Sequence, residues 1–171
     1  MVAQQQYTSA QTSRSQVPAL HRALLKAGVW ASGTVNVDIG GGRFDKASQE
    51  LSKSFVTNLV YDPYNRSQEH NDTVLLKLQE RGADTATVAN VLCVIAEDHL
   101  RAGVVALASK LAPIAFFSIY EGNRSGIGGP TRDGWQENRA LVTYVKEIAP
   151  FFDKTELQRI GGVQMIVAQR G

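Results

Sequence analysis

A chain of 171 residues, 43% hydrophobic and 20% charged, has the material for one domain around one core. Its formal net charge of +2, with no run of basic residues beyond a pair, leaves no electrostatic footprint for nucleic acid or an acidic membrane surface. No apolar stretch approaches the roughly 20 residues of a membrane span, and the polar start Met1 to Gln16 lacks the apolar region of a secretory signal. One cysteine and three scattered histidines are little material for a disulfide or a zinc site, so a cytoplasmic protein without a metal is expected.

Residues 1–16 are rich in Gln, Ser and Thr and read as a flexible arm, leaving residues 17–171 as the single domain. Val17 to Ala27 carries apolar residues at helical spacing, with Pro18 suited to a first turn and Gly28 to the stop. Thr34 to Ile39 is β-branched and runs into three glycines, which predicts a strand meeting a tight turn. Phe44 to Lys53 predicts a helix with Ala47 and Leu51 on one face. Asn58 to Tyr61 is a short strand stopped by Asp62-Pro63, because proline has no N–H and biases the residue before it to extended geometry. Ser67 caps a helix that runs to Arg81 with Val74, Leu75 and Leu78 inward, and Gly82 closes it. Thr85 to Val94 predicts a buried parallel strand holding Cys93 as an inert thiol. Asp98 to Leu111 predicts a helix and Ile114 to Tyr120 a further strand. After the Gly-rich stretch Glu121 to Gly134, Trp135 to Ala149 predicts a helix ended by Pro150. Lys154 to Ile160 and Val163 to Gln169 predict a hairpin across Gly161-Gly162.

Strand and helix in alternation imply an α/β fold: a Rossmann-like, mostly parallel sheet with helices on both faces, closed by a C-terminal antiparallel hairpin. Ligands of such sheets bind beyond the carboxyl ends of the strands, where the strand order reverses. After the first strand stands Asp38-Ile39-Gly40-Gly41-Gly42, where glycines let the backbone turn sharply and approach a ligand. After the second, about 24 residues on, stands Asp62, placed to accept ribose hydroxyls. Asn90, followed by Val91, is placed to meet a ligand or to bond the backbone. Tyr120 and Glu121 sit on the rim of the same pocket or in a solvated loop, Trp135 is core or lid, and Thr8, Ser9, Thr12 and Ser13 belong to a tail that could fold over a ligand.

In this order, Asp38-Ile39-Gly40-Gly41-Gly42, then Tyr61-Asp62-Pro63-Tyr64-Asn65, then Asn90-Val91-Leu92-Cys93-Val94-Ile95, the chain resembles class I S-adenosylmethionine-dependent methyltransferases. It is most similar to a group of small methyltransferase-like proteins of phages and bacteria, over roughly residues 34 to 169. The resemblance implies S-adenosylmethionine as cofactor, bound at Asp38, Gly40, Gly41, Gly42, Asp62, Pro63, Asn90 and Val91. Asp38 and the glycines would line its methionine end, Asp62 its ribose, and Asn90 its reacting end. Tyr120 and Glu121 are the candidate catalytic residues for an acceptor that the sequence does not name, a small molecule or a loop-presented group. Phe44 stands where the usual motif has its third glycine, and no Asn-Pro-Pro-Tyr follows the third strand, so methylation of a base amino group by that motif is not expected. Between Asp62 and Asp84 only one helix is read, so the sheet is expected to lack the family's usual third strand. Two alternatives stay open: a cofactor-binding module without methyl transfer, and an enzyme that cleaves the cofactor. A nicotinamide site is disfavoured, since Asp45 stands where its motif needs a glycine beside a pyrophosphate. Neither a membrane nor a nucleic-acid partner is indicated, and a homo-oligomer is left open.

Overall fold

The computed structural model describes residues 4–171. Six strands form one sheet in the order β2-β1-β3-β4-β8-β7. β1 (Val35–Ile39), β2 (Thr57–Tyr61), β3 (Thr85–Ala89) and β4 (Ile114–Ser118) run parallel, with Val37 level with Leu59 on one side and Ala86 on the other. β7 (Lys154–Ile160) and β8 (Val163–Gln169) add the predicted hairpin, Ile160 facing Val163 across Gly161-Gly162, and β8 lies antiparallel to β4.

The two-residue period of β1 sorts its side chains. Val35, Val37 and Ile39 face a core built from α3 (Gln68–Arg81), α4 (Asp98–Leu111) and α5 (Val145–Ile148), through Val74, Leu78, Val105, Ala108 and Ile148. The opposite face holds the second core, with Leu20, Ala23 and Leu24 of α1 (Ala19–Lys26) and Leu51 of α2 (Lys46–Ser52) against Phe116, Met165 and Val167. Asn36 and Asp38 fall on that second face and are fully buried there. Helices therefore cover both faces, as the alternation predicts. Among the described residues no strand lies outside β2, and Ser48 Oγ and His70 Nε2 donate to the Asn58 and Val60 carbonyls on its free edge. Among the described residues, no helix is long and apolar enough to cross a membrane.

Two stretches differ from the sequence reading. The strand expected over Thr85 to Val94 ends at Ala89, because Asn90 turns into the left-handed region (φ 57°) and Leu92–Val94 closes into a single 3-10 turn. Asparagine tolerates that backbone better than most residues. The helix expected over Trp135 to Ala149 is mostly absent. Gly129–Thr131 (β5) and Gly134–Gln136 (β6) pair as a separate hairpin, Pro130 opposite Trp135, and only short helical turns follow from Leu141 onward. Arg132-Asp133 makes the two-residue turn, with Thr131 opposite Gly134, and this pairing takes Gly134–Gln136 out of the expected helix.

Candidate functional site

β1 is the point where the strand order reverses. The chain passes from β1 to β2 on one side and returns to β3 on the other, so the crevice between the carboxyl ends of β1 and β3 is the expected ligand position. The glycine turn fills one wall of it. Gly40 (φ 73°) and Gly42 (φ 81°) both adopt left-handed backbone that a side chain disfavours. A Cβ on Gly40 would stand 2.5 Å from Val91 Cγ2 across the crevice, and one on Gly41 would stand 2.6 Å from Asp38 Oδ2.

The Gly42 peptide is held from both ends. Its N–H donates to Asp62 Oδ2 at 2.9 Å, and its carbonyl accepts from Arg66 Nε at 2.8 Å. Arg66 also donates to the Phe44 carbonyl and to Asp45 Oδ1. Asp62 Oδ1 accepts the N–H groups of Tyr64 and Asn65 at 3.0 Å, and Oδ2 accepts the Asn65 side-chain amide at 3.1 Å. Four donors thus fill the four acceptor positions of a carboxylate that is 4% exposed. In this arrangement Asp62 ties the loop after β2 to the glycine turn and presents no unoccupied oxygen to a ribose. Pro63 lies exposed beside it.

Asp38 supports the turn from below. Its Oδ2 lies 3.2 Å from His21 Nε2, Thr87 Oγ1 donates to its Oδ1 at 2.9 Å, and the Asn58 amide approaches at 3.4 Å. Burial pushes the Asp38 carboxyl up, but His21 and the Thr87 and Asn58 donors outweigh it and hold it below the ordinary carboxylate value. The polar chain continues away from the site, from Thr87 through Asn36 to Thr85 and the Trp30 indole.

The structure brings Asp38, Gly40, Gly41, Gly42, Asp62 and Val91 together. Asn90 stands exposed at the end of β3, its N–H tied to the Ser118 carbonyl at 2.9 Å. Tyr120 and Glu121 follow β4, one strand further along. The Tyr120 ring is exposed, and both Glu121 oxygens are engaged by Arg124, at 2.7 and 3.0 Å.

Sequence reasoning passed over two contributors. Arg66, four residues after Asp62, gave a signal only as a cation near a glycine turn. Glu97 precedes α4 and takes the N–H of Gln6 on Oε1 at 2.8 Å. The arm itself crosses the strand ends. Gln5 N–H meets the Tyr64 hydroxyl, Tyr7 stacks on Trp135, the Ala10 carbonyl accepts from Arg43, and Ser13 Oγ accepts the Arg43 N–H. Behind Trp135, Arg101 is buried against Asp98, Glu137 and Glu147, and Arg139 joins the same two glutamates, which anchors the segment after β6 to α4.

No family model and no curated protein matches the sequence. Solved structures do match in fold. The Burkholderia thailandensis 1,6-didemethyltoxoflavin-N1-methyltransferase, crystallised with 1,6-didemethyltoxoflavin and S-adenosylhomocysteine, superposes with a TM-score of 0.61 at 15% identity, over 90% of this chain and 79% of that one. A TehB-like SAM-dependent methyltransferase of Corynebacterium glutamicum gives 0.53 at 15% identity, over 90% and 89%. The [4+2]-cyclase SpnF gives 0.54 at 14% identity, over 80% of this chain and 57% of that one. The chain has the Rossmann-like fold of class I methyltransferases, a fold that also carries other chemistry.

Proposed function

We propose that this protein is an S-adenosylmethionine-dependent methyltransferase. The observation that carries this reading is the glycine turn at the point of strand reversal, gripped through Gly42 and facing Val91 across the crevice, in a fold shared with methyltransferases. The cofactor would supply an electrophilic methyl group on a sulfonium. Gly40, Gly41 and Gly42 let the backbone approach the methionine end, with Asp38 fixing the turn from beneath. Asp62 and Pro63 border the ribose position, where sugar hydroxyls would exchange with the Asn65 amide for Asp62 Oδ2. Asn90 and Val91 border the reacting end. Catalysis of this kind rests mainly on alignment of nucleophile and methyl group, with a base where the nucleophile carries a proton. Tyr120 and Glu121 are the candidate catalytic residues on the rim for that proton, Glu121 only on release from Arg124.

Calorimetric titration with S-adenosylmethionine and S-adenosylhomocysteine tests the reading. Micromolar binding of either is expected, and a folded protein that binds neither sinks it. The second reading, a cofactor-binding module without methyl transfer, is favoured by the pairing of Glu121 with Arg124, which leaves that carboxylate committed. It predicts binding without turnover across a broad acceptor screen.

A further inference from the structure

Along the arm lie two buried polar atoms, Ser9 Oγ and Glu97 Oε2, that have no hydrogen-bond partner among the described residues. A buried carboxylate oxygen is costly to leave unpaired. Its sister, Oε1, takes the Gln6 N–H, and the next residue, Tyr7, lays its ring on Trp135 with centroids 5.2 Å apart and planes 28° from parallel. Trp135 does not depend on Tyr7 for its orientation. Its indole N–H is fixed by Glu137 Oε1 at 2.8 Å, and its ring packs so closely on Gly128 that a Cβ there would stand 2.6 Å from Cζ2. Arg101 and Arg139 hold Glu137 in turn. The protein thus presents a fixed indole face beside a carboxylate with spare acceptor capacity. The Gln6–Tyr7 unit answers with one N–H and one planar ring.

We propose that Trp135 and Glu97 form the acceptor subsite of this protein, shaped for a planar N-heterocycle that carries a ring N–H, and that Gln6–Tyr7 of the arm holds its place. The inference rests on the methyltransferase reading for the word acceptor, but the recognition it describes does not. The heterocycle stacks on Trp135, where Tyr7 now lies, and donates its N–H to Glu97. Glu121 is the poorer partner for that N–H, since Arg124 engages both of its oxygens.

The test uses xanthine, a planar bicycle with ring N–H groups, and caffeine, its N-methylated counterpart without them. Both are titrated against tryptophan fluorescence, with and without S-adenosylhomocysteine. Trp135→Phe identifies the signal, because the other tryptophan, Trp30, is buried and bonded to Thr85. Xanthine should quench the protein and bind several-fold tighter to Tyr7→Ala, whose arm no longer covers the indole. In Tyr7→Ala, xanthine should outbind caffeine about tenfold or more, the worth of a hydrogen bond to a charged group. Adding Glu97→Ala should erase that preference while caffeine binding stays. Equal affinity for the two probes with Glu97 present, quenching that survives Trp135→Phe, or no quenching at all would overturn the proposal. Binding of S-adenosylhomocysteine without quenching by xanthine removes the subsite and leaves the methyltransferase reading. Discrimination between the probes without any cofactor binding keeps the heterocycle site and sinks that reading.

Discussion

The wall of the crevice built by β1 and β2 and the rim built after β4 are held by different means. Around Gly42 the backbone N–H and carbonyl both end on side chains from elsewhere in the chain, Asp62 and Arg66, and Asp38 supports the turn from a buried position. Around Tyr120 short-range pairs combine with exposed bonds that tie the Tyr120 carbonyl to Gln136, and Asn123 and Ile127 to Asn138. Glu121 pairs with Arg124, Asn123 with Ser125, and Tyr120 and Ile127 are largely exposed. The first wall is preorganised by long-range contacts, so its shape is fixed before a ligand arrives. The second is tied by solvent-exposed bonds, which water can replace at lower cost than the buried contacts of the first.

Substitutions can break this contrast. Asp62→Ala should have the largest effect, about 2–4 kcal/mol of stability by denaturant titration without cofactor, because it strands the buried Gly42 N–H and two loop N–H groups. Unchanged stability with lost cofactor affinity would instead make Asp62 a ligand-binding residue alone. Gly42→Ala should cost about 1–2 kcal/mol, since its φ of 81° is unfavourable for a side chain and its Cβ would stand 2.4 Å from Ser13 Oγ. A Gly42→Ala protein as stable as the parent would refute the close approach of the arm. Arg66→Met should cost about 1–2 kcal/mol by freeing the Gly42 and Phe44 carbonyls, and should weaken S-adenosylhomocysteine binding in calorimetry. Glu121→Gln should change stability by only about 0–1 kcal/mol, as befits a surface pair.

The same contrast has a pH signature. Asp38 has a lowered folded-state pKa, so its contribution is present above the unfolded carboxylate value and is lost as pH falls through the folded one. Chemical denaturation below about pH 4 should therefore show a loss of stability that Asp38→Asn lacks. A loss that persists in Asp38→Asn would place its origin in other carboxylates.

What could be read from the sequence was what local chemistry decides. The β-branched run into Gly40-Gly41-Gly42, the Ser67 cap and the Gly161-Gly162 hairpin each carry their reason within a few residues, and all three stand where expected. The helix expected from Trp135 does not form there because Trp135 pairs with Pro130 in a hairpin across Arg132-Asp133. The strand expected from Thr85 stops short because Leu92, Cys93 and Ile95 are buried for another reason, in and just after a 3-10 turn. Asp38 meeting His21, Glu97 meeting Gln6 and Arg66 meeting Gly42 depend on chain closure over 17, 91 and 24 positions, which no local pattern encodes.

The missing outer strand leaves β2 as a border of the sheet, where unpaired backbone would ordinarily invite another chain to add itself. Here the border carbonyls of Asn58 and Val60 are already engaged by Ser48 and His70, from the helices on either side. At two of the border's acceptors, side chains from the flanking helices thus stand in for a neighbouring strand.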